Sequence, residues 1–282
     1  RQFQHEVGKE NAIFLHVTLI PYLKSSGEMK TKPTQASVKE LQGMGIQPDI
    51  IVCRSEYPLD NGIKDKIALF CNVPSSHVLQ NLDVEYLYEA PLAMEEEHLA
   101  QVACECLGLP CPEPNLSDWK AMCTALKHPK GEVSVALVGK YTQLHDAYIS
   151  VVESLKHGGI ANGVSVNIKW VDSEKVTAEN VEEFLGDVSG IIVPGGFGDR
   201  GIEGMIQSIR YAREKKVPFL GLCLGMQLTI VEFTRDVVGY NDAHSVEFLP
   251  GTTHPVIHLM PDQEGIDDIG GTLRLGSYPC IL

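Results

Sequence analysis

No stretch of this chain is long and apolar enough to span a bilayer, and nothing at its start reads as a secretory leader, so a soluble interior protein is expected. Basic residues are scarce: 23 Lys and Arg stand against 37 Asp and Glu, for a formal net charge of −14. That balance argues against nucleic acid or an anionic membrane as a partner, and any site for an anionic substrate has to be a local basic patch. The eight cysteines lack metal or redox spacing, their one close pair being Cys104-Glu105-Cys106, so reduced thiols in a cytoplasmic protein are expected and no metal site is. What is present is a globular composition, 44% hydrophobic and 21% charged, over 282 residues, enough for about two domains.

The most informative stretch is Gly221-Leu222-Cys223-Leu224-Gly225-Met226-Gln227. Val217 to Leu220 before it reads as a strand and Leu224 to Phe233 after it as a helix, which puts Cys223 on a strand-to-helix turn. The flanking glycines let the chain bend sharply and let a substrate approach the backbone. The positive end of a helix dipole favours an anionic sulfur, and a thiolate so placed can attack an amide carbonyl. The plainer reading, a buried core cysteine, suits an arbitrary cysteine but not one framed as Gly-x-Cys-x-Gly. A second turn, Pro194-Gly195-Gly196-Phe197-Gly198, can present the Gly196 N–H beside the Leu224 N–H as a pair of oxyanion donors. Taken alone it would be a tight loop or a phosphate nest.

Strand-like and helix-like segments alternate throughout, which predicts an α/β fold of two doubly wound parallel-sheet domains. In the first third, 12–20 and 49–53 read as buried strands, 66–71 and 77–79 as shorter ones, 36–42 as a helix, and 96–107 as one amphipathic helix. Proline-rich 109–114 and a helix over 116–126 read as a linker spanning 109–132. Beyond it the series is strand 133–138, helix 146–156 ended by Gly158-Gly159, strand 164–170, helix 178–185, strand 190–193, helix 202–214, then the strand into Cys223. The expected domains are therefore 1–108 and 133–282. Arg1 to Val7 reads as the middle of a helix without a cap, and the chain stops on apolar residues, so a fragment is expected.

One further stretch, Gly27 to Gln35, sets Lys30, Thr31 and Lys32 just before Pro33 and a helix start, a ready anion site in which two lysines can grip a polyphosphate. Spacing alone favours an ordinary solvated loop there, and Lys66 is equally ambiguous.

The two glycine-framed turns resemble the class I glutamine amidotransferases. The resemblance extends over nearly the whole chain to the CTP synthase family, through 27–35, Ser37-Val38-Lys39-Glu40-Leu41, Gly45-Ile46-Gln47-Pro48-Asp49, Lys66 to Phe70, Val138-Gly139-Lys140-Tyr141 and Gly270-Gly271-Thr272-Leu273-Arg274-Leu275-Gly276. It implies part of a P-loop-type amidoligase domain followed by a class I glutaminase domain. In that family UTP is phosphorylated by ATP with Mg²⁺ and aminated to CTP by ammonia from L-glutamine, with GTP as activator and CTP as inhibitor. Carried over, Cys223 is the nucleophile, and Gly196, Leu224, Gly225, Met226 and Gln227 are glutamine-contacting backbone. Glu247 holds the substrate's α-ammonium. Lys30, Thr31, Lys32, Pro33, Thr34, Gln35 and Lys66 match the UTP or CTP site, which overturns the solvated-loop reading. Leu82, Asp83 and Val84 match a lining of the ATP pocket, and Arg200, Gly201 and Glu203 a lid linked to the GTP response. Shared nucleotide sites imply a homotetramer, and two reaction centres imply a protected path for ammonia.

The departures from that pattern are equally definite. The family's phosphate loop and Mg²⁺-binding acids have no counterpart here, so the ATP-dependent step is not expected of this chain unaided. The family's His-Pro-Glu is also missing. His254-Pro255-Val256 lacks the carboxylate and is read as structural, so turnover by this chain alone should be low. Two other readings stay open at this point: a glutaminase serving another acceptor, and a non-catalytic scaffold or filament subunit.

Overall fold

The computed structural model describes residues 1–259 and divides the chain into two units, Arg1–Lys127 and a second from His128 onward. The Gly270 to Gly276 motif lies outside the described residues.

In the first unit β1 (Leu15–Leu19), β2 (Ile50–Ser55) and β3 (Val78–Leu82) form a parallel sheet in the order β1-β2-β3. The unbroken apolar run Ile50 to Cys53 is buried on both faces of β2, as a central parallel strand requires. On one side α1 (Lys32–Gly43) and α2 (Asn61–Cys71) pack Val38, Ile67 and Cys71 against Ile51 and Cys53. On the other, α3 (Ala90–Glu96) and α4 (Leu99–Leu107) bring Met94, Leu99 and Val102 onto Ile50, Val52 and Leu79. Each fully buried aliphatic side chain of this kind contributes about 1.5–3 kcal/mol.

Three local expectations are corrected here. The apolar run 66–71 is not a strand but the second half of α2, because Ile67, Ala68 and Cys71 are buried at helical spacing and Asp60 caps the helix by accepting from Ile63 N at 2.8 Å. The single helix over 96–107 is two. His98 takes a left-handed φ of 58°, and Glu97 turns aside to meet Lys64 Nζ at 2.9 Å and Gln80 Nε2 at 2.7 Å. The helix expected from Ala36 starts at Lys32, with Pro33 in its first turn. In the linker stretch, α5 (Ser117–Lys127) packs on the first unit, where Trp119 Nε1 donates to Tyr88 O at 2.7 Å.

The second unit is a four-stranded parallel sheet of β4 (Glu132–Gly139), β5 (Ser165–Asp172), β6 (Gly190–Val193) and β7 (Phe219–Gly221), ordered β5-β4-β6-β7. Strand order reverses between β4 and β6. In open α/β sheets that reversal opens a crevice at the carboxyl ends of the two strands. Helices α6 (Ile149–Asn162), α7 (Val181–Leu185), α8 (Ile202–Lys215) and α9 (Leu224–Phe233) complete the unit. Its core joins Val138, Ile191 and Val193 to Met205, Ile209, Leu224 and Leu228. The α6 helix runs through Gly158-Gly159 instead of ending there. A methyl at Gly159 would lie 2.6 Å from Val164 O and 2.8 Å from Val166 Cγ2, so that glycine serves close helix-to-strand packing, not termination. Between α8 and α9, Arg213 reaches the buried Glu232 carboxylate at 2.7 Å from Nη2 and 2.9 Å from Nε.

Candidate functional site

Strand β7 ends at Gly221 and α9 begins at Leu224, so Cys223 occupies the N-cap of α9 with φ 52° and ψ −104°. A non-glycine residue pays for such a backbone with about 1–3 kcal/mol of strain, which persists only where the surroundings enforce it. They do so here through the two glycines. A methyl at Gly221 would lie 2.6 Å from the Gly225 carbonyl carbon, and one at Gly225 would lie 2.0 Å from Val193 O. The turn is pinned to the neighbouring strand by Leu222 N, which donates to Val193 O at 2.9 Å. As a result Cys223 is exposed although Leu224 and Gly225 beside it are buried.

The glycine-rich turn after β6 faces this elbow. A methyl at Gly195 would lie 3.3 Å from Cys223 Cβ and 3.7 Å from its Sγ, and one at Gly196 would lie 3.7 Å from Leu224 Cδ2. Among the described residues, neither the Gly196 N–H nor the Leu224 N–H donates a hydrogen bond to a backbone or side-chain acceptor. Two free donors beside an exposed thiol suit negative charge developing on a carbonyl oxygen. Gln227 N donates to Cys223 O at 3.1 Å, and Met226 is half-exposed at the same rim.

Lys140 was legible in the sequence only as part of the Val138 to Tyr141 resemblance, yet it underlies this turn. It follows β4 directly and is 4% exposed. Its Nζ donates to Phe197 O at 3.1 Å and also to Gly198 O. Its backbone is anchored as well: Lys140 N donates to Tyr148 Oη at 3.0 Å, and Arg200 Nη2 donates to Lys140 O at 3.0 Å. Burial pushes the ammonium below its ordinary range and Arg200 adds to the shift, while Glu247 and Asp199 oppose it. The signal that would have found it is a lysine placed immediately after an apolar parallel strand, at its carboxyl end.

Glu247 lies exposed in the turn after His244–Ser245, with its N–H donating to Ser245 Oγ at 3.2 Å, so its carboxylate is available to a ligand. Arg200, Gly201 and Glu203 gather with His244 and Phe248 around a cavity of about 570 Å³. Arg200 pairs with Glu174 at 2.9 Å, and Glu203 with Arg235 at 3.1 Å. Gly201 takes φ +68°, and a methyl there would lie 2.2 Å from Ser173 Oγ. Burial holds the His244 imidazole below its usual 6.5, helped by Arg235 and opposed by Glu203. His254 does have a carboxylate partner, Asp242 at 2.6 Å from Nδ1, and its ring stacks on Tyr240 at 4.2 Å. The carboxylate that the His254-Pro255-Val256 stretch lacks in sequence is thus supplied by Asp242, twelve residues earlier.

In the first unit Lys30, Thr31, Lys32 and Lys66 line a single cavity of about 820 Å³ together with Tyr22, Asp60 and Ile63. Pro33, Thr34 and Gln35 do not line it. Pro33 sits in the first turn of α1, Thr34 is buried and donates to Leu19 O at 3.1 Å, and Gln35 Nε2 bonds Thr31 Oγ1 at 3.0 Å. These three shape the loop that presents the lysines. Glu28 pairs with Lys30, and that bond lowers its carboxyl pKa.

Leu82 ends β3, and Asp83 carries Arg54 at 2.6 Å. Ser55 Oγ, at the paired end of β2, is buried without a partner among the described residues. An orphaned hydroxyl at the carboxyl ends of parallel strands fits one edge of a nucleotide site. No group of three or more His, Cys, Asp or Glu that could hold a metal ion occurs among the described residues.

Comparison with known proteins gives two family matches. Residues 1–109 match the family described as CTP synthase N-terminus, and residues 143–281 match glutamine amidotransferase class-I. A CTP synthase of Ruminiclostridium cellulolyticum is 59% identical over 280 residues, covering 99% of this chain and 52% of that protein. One of Clostridium acetobutylicum is 58% identical over 282 residues, covering 100% of this chain and 53% of that protein. A solved structure of the Trypanosoma brucei glutaminase domain with bound acivicin is 41% identical and covers 46% of this chain and 51% of that one. The TM-score of that match is 0.44. The chain thus spans about half the length of the curated relatives it matches.

Proposed function

The chain belongs to the CTP synthase family, and from that premise we propose that it supplies the glutaminase half-reaction and part of the nucleotide-binding surface of a glutamine-hydrolysing CTP synthase. Cys223 Sγ attacks the side-chain amide carbon of L-glutamine, a C–S bond forms, and the carbonyl π pair moves onto oxygen. That oxyanion is stabilised by the Gly196 and Leu224 N–H groups. Collapse breaks the C–N bond and releases ammonia once the leaving nitrogen has been protonated, and water then hydrolyses the thioester to glutamate. The group that moves those protons is not assigned among the described residues. Glu247 takes the α-ammonium of glutamine, and Met226 and Gln227 line its approach.

The ammonia is used on UTP activated by ATP. The lysine-lined cavity of the first unit holds UTP or, as inhibitor, CTP, with Lys30, Lys32 and Lys66 as point charges for the phosphates. Leu82, Asp83 and Val84 border ATP. Mg²⁺ would accompany ATP in the whole enzyme. GTP acts through the Arg200, Gly201 and Glu203 segment, and the assembled enzyme is a cytoplasmic homotetramer. No helix among the described residues is long and apolar enough to cross a membrane.

The observation that carries this reading is an exposed, left-handed Cys223 flanked by two unengaged backbone donors. A glutaminase serving another acceptor would share that elbow, but it gives no account of the lysine cavity. Photo-crosslinking with an azido-UTP analogue tests the acceptor directly. Label on Lys30 to Gln35 or Lys66 that CTP competes away supports the reading, and label confined elsewhere or indifferent to CTP contradicts it.

A further inference from the structure

The Gly195 to Gly198 turn has three glycines in four residues, so its peptides can rotate at little steric cost. Oxyanion stabilisation needs the opposite: donors fixed in place before the charge develops. Rigidity therefore has to come from outside the turn. On the Cys223 side the turn faces the cysteine and Leu224 side chains, which a methyl at Gly195 or Gly196 would meet at 3.3–3.7 Å. On the other side it meets Lys140, at the switch point between β4 and β6.

We propose that Lys140 is a positioning residue for the glutaminase reaction, clamping the glycine turn in the arrangement that keeps the Gly196 N–H aimed at the oxyanion. Two separate contacts make the clamp. The ammonium draws the Phe197 and Gly198 carbonyl oxygens to one point, which fixes two successive peptide planes. The aliphatic stem lies against Gly196, where a methyl would meet Lys140 Cδ at 3.4 Å and Cε at 3.6 Å, so it occupies the space on the β4 side of the residue carrying the donor.

Filling space does not account for this residue. Among the described residues no carboxylate comes within ion-pair distance of Lys140; Glu247 and Asp199 act on it only from farther off, its hydrogen bonds go to carbonyl oxygens, and the Phe248 ring lies 5.9 Å from Nζ. A methionine would fill the same volume without the desolvation cost. The ammonium is thus used for its two directed bonds. Its own backbone is held by Tyr148 and Arg200, so the clamp stands on the rigid end of β4 rather than on a loop. Arg200 also belongs to the lid segment, which ties the lid to the donor turn through Lys140 O.

This inference rests on the glutaminase reading, and the test separates the two. L-Glutamate γ-semialdehyde adds to a cysteine thiolate: one S–C bond forms, the carbonyl pair moves to oxygen, and nothing leaves. The adduct therefore needs the oxyanion donors, whereas alkylation of the same sulfur by iodoacetamide does not. Both reactions are followed on the full chain by mass spectrometry at Cys223. Lys140→Met should weaken aldehyde binding tenfold or more while leaving the iodoacetamide rate within about twofold, and Lys140→Arg should recover most of the aldehyde affinity. Unchanged aldehyde affinity in Lys140→Met overturns the proposal. So does an equal loss of both reactions, because Lys140 would then be supporting the fold and not the donors. Failure of the unsubstituted chain to take up the aldehyde at Cys223 would instead overturn the glutaminase reading.

Discussion

The two sheets place their ligand-facing groups in opposite ways. In the second unit the nucleophile, the glycine turn facing it and the buried lysine sit at the ends of three adjacent strands: Lys140 after β4, Pro194 to Gly198 after β6, and Cys223 after β7. The Cys223 turn is enforced by backbone packing too close for any side chain at Gly221 and Gly225, and a methyl at Gly139, just before Lys140, would meet the Tyr148 ring and hydroxyl. In the first unit the candidate phosphate ligands sit on a hairpin loop and two helices, and side chains such as Lys30 remain substantially exposed. The contrast follows from the work each site is assigned. A nucleophile and an oxyanion must be held within a fraction of an ångström, and strained turns on a sheet edge do that. Phosphates on a mobile nucleotide are met well enough by long, flexible cations.

The largest effect that would sharpen the contrast is expected at Arg213, whose guanidinium pairs with the 1%-exposed Glu232 carboxylate behind the elbow helix. Arg213→Met should cost about 3–5 kcal/mol in urea denaturation, since it leaves a buried charge without its partner. The corresponding pair of the first unit, Lys64 with Glu97, retains the Gln80 bonds to Glu97 when the lysine is lost. Lys64→Met should therefore cost less than Arg213→Met, and the reverse order would break the comparison. Next come the adjacent glycines of α6. Gly159→Ala should destabilise by about 1–3 kcal/mol through collision with Val164 O, while Gly158→Ala, with nothing near its Cα hydrogen, should stabilise by about 0.5–1 kcal/mol. Thermal denaturation reads the sign of each.

Smaller still is the expected effect at the nucleotide cavity. Lys66→Ala should weaken binding of UTP by about tenfold, roughly 1.4 kcal/mol, and make it less salt-dependent in fluorescence titration. Glutamine-analogue labelling of Cys223 should not change. The smallest concerns pH. Thr253 and then His254 hold the Asp242 carboxyl at about 2, below its ordinary 3.8. The folded state thus binds that proton less readily than the unfolded chain, so the stabilisation is present above 3.8 and is lost as pH falls toward 2. Protection factors over Tyr240 to His254, which divide out the intrinsic pH dependence of amide exchange, should fall in that window.

How much of this was readable beforehand divides along physical lines. The elbow and the glycine turn were legible because their constraint is local: small residues flanking a reactive one at a strand-to-helix junction. The 66–71 segment misled because a short apolar run reads the same in either period, and only its contacts with Val38 and Cys53 decide for helix. The break at Glu97-His98 was hidden because its cause, Lys64 and Gln80, is distant in sequence. Gly158-Gly159 looked like a stop because glycine's helix penalty is visible in sequence, while its packing use against Val164 is not. Lys140 escaped for the same reason, since its two acceptors lie 57 and 58 residues away.

The reactivity of the elbow is measured most directly inside the chain itself, because Cys111 is also an exposed thiol but sits on a proline-rich stretch, where desolvation and a hydrogen bond with Cys104 raise its pKa above the ordinary thiol value. Treated with a diazo-ketone analogue of glutamine and mapped by mass spectrometry, Cys223 should be labelled at least about a hundredfold faster than Cys111, a preference that excess glutamine removes. Equal labelling of the two thiols, or labelling of Cys223 that glutamine does not slow, would contradict a glutaminase site at the end of β7.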